Sequence, residues 1–553
     1  MSTAPVRGFG ALAAVCVAVA CGVLLPAPAG ATPAGPARID RVVVVGVPGL
    51  RWEHVDGTAM PAVSRLAGEG SIGTLSARSA PSTTCPSEGW LTLGAGTYAA
   101  TSDPDEGGGC DDRPVEPVEA QGGGGGRLPT FDRIKRLNET LRFGAEPGRL
   151  GDGVDCAAAV GPGAAMAAAD PRGNVAWYAP ELPPDPAPLL TRCPLTVVSA
   201  PSVDAGGGAG RADATVAAVA DAMPDHSLLV VAGVSEPAGT GSAGGPSLHA
   251  VLLHGDGVRP GWLRSPSTRR VPYVQLVDLA PTVLESLGAT VPDAMAGRPV
   301  TSGEDGRPRT LAKATDALAD QNAKAVAARR AVPWFWAGVG VLSLVIYAFA
   351  VLALRRRNTA SNTASSADSS ASGNADSSAD SSADSAAGSE PARPGRGLLE
   401  PALLGLAAVP VMTFAAGLVP WWRTPAAAQI PVLLGLVVVL SGALAAVALA
   451  GPWRRQPAGP VTVVAGVGVL LIGLDVLTGG HLQIDTMIGY SPLVAGRFYG
   501  LGNIAFAVFG ACGVLFAAGL AEAGRSRHLP DAPKRGALTA LGIVLAVAAV
   551  IVA

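Results

Sequence analysis

RVVVVGVPG, residues 41–49, is a run of β-branched residues that ends abruptly in Val-Pro-Gly. A short continuous apolar run closed by turn residues reads as a strand buried on both faces, as parallel strands are. Pro48 and Gly49 send the chain into a loop at its carboxyl end. Outward from this strand, residues 60–70 (MPAVSRLAGEG) place Val63, Leu66 and Ala67 on one helical face, with Gly70 as the stop. Residues 212–223 read as a helix, 227–232 (SLLVVA) and 249–254 as strands, and 276–287 as a helix stopped by Gly288. Strands alternating with helices imply an α/β domain with a mostly parallel sheet. Residues 100–127 are acidic and Gly-rich and are expected to be a mobile loop.

The second half is different. Hydrophobic residues make up 49% of the 553-residue chain and charged residues only 15%. The long uncharged runs fall after residue 331. Candidate spans are 333–354, 398–419, 430–450, 460–478, 501–521 and 536–553. Each is near the ~20 residues needed to cross a ~30 Å hydrocarbon core. The last run is still open at Ala553, so the chain is expected to continue. Arg355–Arg357, Arg393 and Arg396, Arg454 and Arg455, and the 525–535 cluster all fall on one side if residues 32–331 lie outside. That agreement predicts an exported domain by the positive-inside rule. Trp334, Trp336, Trp421 and Trp422 fall at the outer boundaries, as interfacial aromatics do.

The N-terminus agrees with export. Arg7, an apolar stretch over 9–25 and Ala29-Gly30-Ala31 read as a signal peptide or N-terminal anchor over 1–31. The domains are then 32–331 exported, 332–355 the first span, 356–396 a Ser/Ala/Asp cytoplasmic linker expected to be disordered, and 397–553 a bundle of about five spans. Four cysteines lie in the exported part: Cys85, Cys110, Cys156 and Cys193. They suggest two disulfides with three connectivities open. Short loops favour Cys85–Cys110 and Cys156–Cys193, each worth roughly 3–4 kcal/mol in the chain-entropy model. The net charge of −3 offers no basic field for nucleic acid; the expected partner is the lipid bilayer.

Three stretches together resemble the alkaline phosphatase superfamily, which includes sulfatases and nucleotide pyrophosphatase/phosphodiesterases. They are VVVVGVPGLRWEHV (42–55) with the helix after it, PSTTCPSEGWLTLGAG (81–96), and VPYVQLVDLAPTVLESLGATVPDAMAGRPV (271–300). The resemblance implies an alkaline-phosphatase-like α/β fold and a chemistry of two metal ions, usually zinc, that ionise a Thr or Ser nucleophile. It places Thr84 at the nucleophile position, with Thr83 as second choice. It also exposes departures. Pro48 stands where the family's first strand supplies a metal-binding Asp, and Gly233–Glu236 stand where an Asp-His pair is expected. His249 matches a final His but stands alone, and the intervening Asp-x-x-x-His element is not recognisable. Zinc needs three or four placed ligands, so no metal ligand set and no cofactor are assigned. Among the other histidines, His54 and His226 read as exposed turn residues, and His249 and His254 flank a strand as structural residues do. A Thr at a strand-to-helix turn is more commonly a helix N-cap, and that is the first reading of Thr84.

Residues 481–503 (HLQIDTMIGYSPLVAGRFYGLGN) lie between the fourth and fifth spans, on the outer side. Arg-Phe-Tyr-Gly-x-Gly-Asn in it is similar to a segment of bacterial membrane proteins with phosphatase-like ectodomains. Asp475, Asp485 and Arg497 are costly so near a bilayer. Two readings stand: Arg497 contacts an anionic lipid or glycan headgroup, or Gly496, Gly500 and Gly502 shape a tight re-entrant loop.

The expected function is that of a cell-envelope membrane protein whose non-catalytic ectodomain binds, scaffolds or senses. The alternative is a zinc- or other metal-dependent phosphotransferase or phosphodiesterase on lipid-linked glycans. Its order of parts is similar to that of the glycosylphosphatidylinositol ethanolamine-phosphate transferases. A transporter would need paired charges deep in the spans, and only Asp475 is a candidate.

Overall fold

A computed structural model describes residues 39–104, 110, 115–237, 245–303, 306–371 and 396–526. The signal segment, the sixth candidate span and residues 372–395 of the linker lie outside the described residues.

The quoted run forms β1 (Arg41–Gly46), and alternation sends its valines to both faces. Val42 and Val44 join one apolar cluster, while Val43, Val45 and Val47 join the other. The strands that follow are β2 (Ser71–Ser76), β3 (Glu119–Ala120), β4 (Gly126–Arg127), β5 (Ala157–Val160), β6 (Asn174–Val175), β7 (Trp177–Ala179), β8 (Leu195–Ser199), β9 (Ser227–Ala232), β10 (Leu248–Gly255), β11 (Gly261–Arg264), β12 (Tyr273–Gln275) and β13 (Thr301–Gly303). The main sheet runs β13-β11-β2-β10-β9-β1-β8-β5-β7, with β12 beside β2. β1 pairs in parallel with both β8 and β9, as its sequence predicts. β10 is antiparallel to both β9 and β2. Reversing twice leaves β2 parallel to β9, and β12 is parallel to β2. The carboxyl ends of β1, β2, β9 and β12 therefore share one edge. Open α/β sheets place their ligands at that edge.

The helices flank the sheet as expected, at Pro61–Glu69, Gly208–Asp221 and Leu279–Ser286. Pro61–Glu69 is charged at both ends. The Asp213 carboxylate accepts from Ala62 N and Val63 N, and the Arg307 guanidinium donates to the carbonyls of Ala67 and Gly70. An acid at the N-terminus and a cation at the C-terminus oppose the helix dipole favourably. Trp90, on the helix Pro86–Ala95, is 1% exposed. Only glycine fits opposite its ring, since a Cβ on Gly46 would lie 2.2 Å from it.

Both expected disulfides are present, Cys85–Cys110 and Cys156–Cys193. Residues 119–127, expected within a mobile loop, instead form a hairpin that β6 extends to a three-stranded sheet. Gly123 and Gly124 supply the positive φ that its turn requires.

One helix, Leu311–Ala371, joins the two halves. Ala314 and Leu318 pack in the core under the sheet, and Ala325 in a cluster with Ile484 and Tyr490. Ala327, Ala328, Ala331 and Phe335 pack among the membrane helices. The helix also runs on through 356–371, where a disordered linker was expected: extending a formed helix is far easier than starting one.

Among the described residues, five helices are long and apolar enough to cross a membrane: Leu311–Leu352, Leu399–Ala416, Ala426–Ala450, Gly459–Leu477 and Asn503–Ala523. Their outer faces are apolar, with Leu344 and Leu477 among the most exposed side chains. Trp334 and Trp336 are exposed, as interfacial residues are, but Trp421 and Trp422 are buried. Trp422 Nε1 donates to Asp320 Oδ1 at 2.9 Å, and its indole packs inside the helix cluster.

Candidate functional site

The loops leaving β1 and β9 meet at the shared edge. Gly49 N donates to Ser235 O, and Glu236 N to Thr84 O at 2.9 Å. Thr84, Glu236 and the turn after β1 are thus held together by backbone. The Thr84 hydroxyl is buried and donates to Ser79 Oγ at 2.9 Å. It does not cap the following helix. Cys85 holds the N-cap position, and Pro86 occupies the first turn, where no amide proton is needed.

Gly233–Glu236 are not without an acid–histidine pair. His249 Nε2 lies 3.0 Å from Glu236 Oε1, with both side chains almost fully buried. The pairing follows from register. Val251 faces Ala232 across the antiparallel ladder, which carries Glu236 and His249 toward each other beyond it. Ser247 N donates to the same oxygen at 2.6 Å, and Arg51 Nη1 stands 3.9 Å from Oε2. Burial pushes the Glu236 carboxyl up, but His249, the Ser247 amide and Arg51 together outweigh it and hold the group below its usual range. His54 sits in the turn after Arg51 and accepts from Arg51 N through Nδ1 at 3.3 Å. It is half-buried rather than exposed, and burial and then Arg51 lower its pKa. His226 is exposed in a turn and lies 2.9 Å from Asp256. His254 lies within β10 and is half-buried.

Two buried polar atoms here have no partner among the described residues, Ser235 Oγ and His249 Nδ1. Among those residues the edge thus offers two unpaired groups beside Arg51, whose Nε also donates to Glu53 Oε1 at 2.7 Å. It does not fit a zinc cage. Among the described residues no three His, Cys, Asp or Glu side chains gather, and Glu236, the acid best placed, is already committed. Pro48 supplies no ligand atom at the end of β1.

The loop between the fourth and fifth membrane-capable helices packs on the β2–β12 part of this edge. Ser76, at the end of β2, donates to Pro492 O at 2.5 Å. Tyr98 OH donates to Gln275 Oε1 and lies 3.4 Å from Ala495 O. Arg270 is buried and acts as the pin: Nε donates to Phe498 O at 2.9 Å, and Nη2 to the carbonyls of Gly480 (2.8 Å) and Gly479. Lys324 Nζ donates to Ile484 O at 2.9 Å. The 478–502 loop is therefore folded beneath the α/β domain. Within it, Asp475 accepts from Leu482 N and Gln483 Nε2, and Gln483 Oε1 accepts from Gly502 N. Asp485 is fully enclosed with a left-handed backbone; Ser491 donates to Oδ1, and Oδ2 has no partner among the described residues. Burial raises its pKa to about 7 against the opposing pull of Lys324 and Ser491. Arg497 is exposed and donates through Nη1 to Leu501 O. Gly500 has the positive φ of a tight turn.

The sequence did not disclose Glu236–His249, Arg270 or Lys324. The one available signal was Glu236 itself, an acid directly after a strand that ends at the sheet edge.

No family model matches the sequence, and no curated protein matches it. Among solved structures, the chain is similar to the PH0037 protein from Pyrococcus horikoshii, at 13% identity and a TM-score of 0.27, over 45% of this chain and 97% of that one.

Proposed function

We propose that the chain is a cell-envelope membrane protein with an extracytoplasmic, alkaline-phosphatase-like domain that binds rather than turns over its ligand. The observation that carries this reading is the Glu236–His249–Arg51 network, which occupies the sheet edge and engages both carboxylate oxygens of Glu236. Phosphoryl transfer needs concentrated positive charge around the transferring group. Here one guanidinium is shared between two acids, Glu53 and Glu236, and the Thr84 hydroxyl has Ser79, not a base, as its partner. The unpaired Ser235 and His249 atoms leave room for polar contacts to a bound group. The ligand is an envelope glycan or lipid headgroup, reached at the membrane-facing edge, and the Leu311–Ala371 helix carries the occupied state to the bundle.

The test is full-length protein in detergent, assayed on nitrophenyl phosphate, phosphodiester and sulfate substrates with zinc, manganese or calcium supplied. The expected result is no metal-dependent turnover. Turnover that Thr84→Ala removes would establish the phosphotransferase reading instead.

A further inference from the structure

The 478–502 loop is fastened to the rest of the chain in two different ways. At its ends, Arg270 donates to the carbonyls of Gly479, Gly480 and Phe498. Gly479, Gly480 and Gly500 have positive φ there, a backbone suited to pivots. The middle is held by single contacts: Ser76 to Pro492 O, Tyr98 to Ala495 O at 3.4 Å, and Lys324 Nζ to Ile484 O at 2.9 Å. Asp485 sits in that middle segment and is 3% exposed. Its amide donates to Tyr490 O at 2.9 Å, so the loop's own backbone sets its place. Ile484 and Tyr490 pack with Leu248, Tyr273 and Ala325, from the α/β domain and the long helix. Ser491 donates to Asp485 Oδ1 at 2.9 Å, and Oδ2 is enclosed with no hydrogen-bond partner among the described residues. The charged and titratable groups around this seat are Lys324 on the long helix, Arg270 just before β12, Tyr273 in β12, Tyr490 in the loop and Asp475 on the preceding membrane helix. Asp475 is committed to Leu482 N and Gln483 Nε2, and Asp320, one turn before Lys324, to Trp422 and Arg423. Lys324 is the cation best placed to pair with Asp485. Its ammonium instead donates to the carbonyl one residue earlier and forms no ion pair with the carboxyl.

A carboxylate oxygen sealed from water without a donor is costly, whereas a carboxylic acid needs no cation beside it. The enclosed Oδ2 and the lysine turned to backbone both suit the acid. We propose that Asp485 is a proton-operated latch: protonated, it keeps residues 481–497 seated on the β2–β12 edge, and losing the proton releases them. The proton passes to solvent and leaves a carboxylate that must gain water or the Lys324 ammonium. Either partner disturbs the seat. Water must enter between Ile484, Tyr490 and Tyr273, or Lys324 must let go of Ile484 O. Arg270 still holds the two ends, so the middle swings out while the loop stays attached. Burial brings the titration to about 7, against the pull of Lys324 and Ser491. Release uncovers Ser76 at the end of β2 and Tyr98 beside Gln275. The latch is separate from Glu236, so either reading can fail without the other.

The experiment is hydrogen–deuterium exchange of the full-length protein in nanodiscs at about pH 5 and about pH 8, corrected for the intrinsic pH dependence of exchange. Peptides from 481–497 should exchange about tenfold faster at the higher pH, and peptides from β1 should not change. Asp485→Asn, neutral and of the same shape, should exchange slowly at both. Lys324→Gln can still donate to Ile484 O but lacks the charge that favours the carboxylate, so the transition should move up by about one pH unit. Wild-type exchange that does not change with pH would overturn the proposal. So would an identical change in Asp485→Asn, fast exchange of that variant at both pH values, or a transition unmoved in Lys324→Gln.

Discussion

Glu236 at the sheet edge and Asp485 in the loop beneath it are both buried carboxyls, yet their environments push them in opposite directions. Glu236 has His249, the Ser247 amide and Arg51 around its two oxygens, and it stays below its ordinary pKa. Asp485 has one Ser491 hydroxyl on Oδ1 and, among the described residues, no hydrogen-bond partner on Oδ2, and burial takes it to about 7. Burial is common to both, so the number and sign of the neighbours decide. A saturated acid stabilises the site as built; an unsatisfied one is a liability held in place by its surroundings.

The largest effect expected is on the dock itself. Arg270→Ala strips the donors from the Gly479, Gly480 and Phe498 carbonyls. Leaving several buried acceptors bare should cost about 3–5 kcal/mol, read as a lower Tm for the full chain in nanodiscs. Arg270→Lys, a point charge without the fork, should fall between the two. A Tm unchanged in Arg270→Ala would mean that the loop is not fastened to the domain there.

Asp485 comes next. Its folded pKa lies above its unfolded one, so its stabilising effect is complete below about pH 4 and is lost as pH rises through about 7. A shift of that size corresponds to at most about 4 kcal/mol. Asp485→Asn should remove this downward slope between pH 5 and pH 8 and make the protein more stable than the wild type at the alkaline end, in a melting series across pH. A slope unaltered in the variant would refute the assignment.

Glu236 should show the opposite window. Its folded pKa is depressed, so its contribution is present above the unfolded value near 4.5 and is lost as pH falls below it. Glu236→Gln should flatten the acid limb of the melting curve and cost about 1–3 kcal/mol at neutral pH, by leaving His249 with a weaker acceptor. Pairing the two variants sharpens the contrast: each should change one limb only.

How much of this was legible depended on how local the cause was. The RVVVV run is buried on both faces because four adjacent valines demand it. The spans at 398–450 and 460–478 are where continuous apolar sequence put them. The disulfides followed from loop length. By contrast β5 is Ala-Ala-Ala-Val, which sequence propensity reads as helix; neighbouring β8 and β7 make it a strand. Glu236 and His249 meet only once the β9–β10 register is known, and Arg270 reaches carbonyls more than 200 residues away. The helix Leu311–Ala371 was read from its apolar part alone, because its first turns bury Ala314 and Leu318 against a core that local pattern does not reveal. Trp421 and Trp422 carried the right signature for an interface and were overridden by packing against Asp320 and the helix cluster.

Thr84→Ala should be the smallest change, removing one hydroxyl donor to Ser79 at about 1 kcal/mol. Ligand binding at the edge should persist in it. A large loss of Tm would give Thr84 a structural importance that one hydrogen bond does not support.

On the proposed reading, the Glu236–His249–Arg51 network occupies the sheet edge without a metal ion. The most direct test of that reading is the zinc content of the full-length protein after exposure to zinc and dialysis at neutral pH. No stoichiometric zinc should be retained, and the wild type and His249→Ala should not differ. About one or two zinc ions per chain, lost in Glu236→Gln or His249→Ala, would contradict it and restore the enzyme reading.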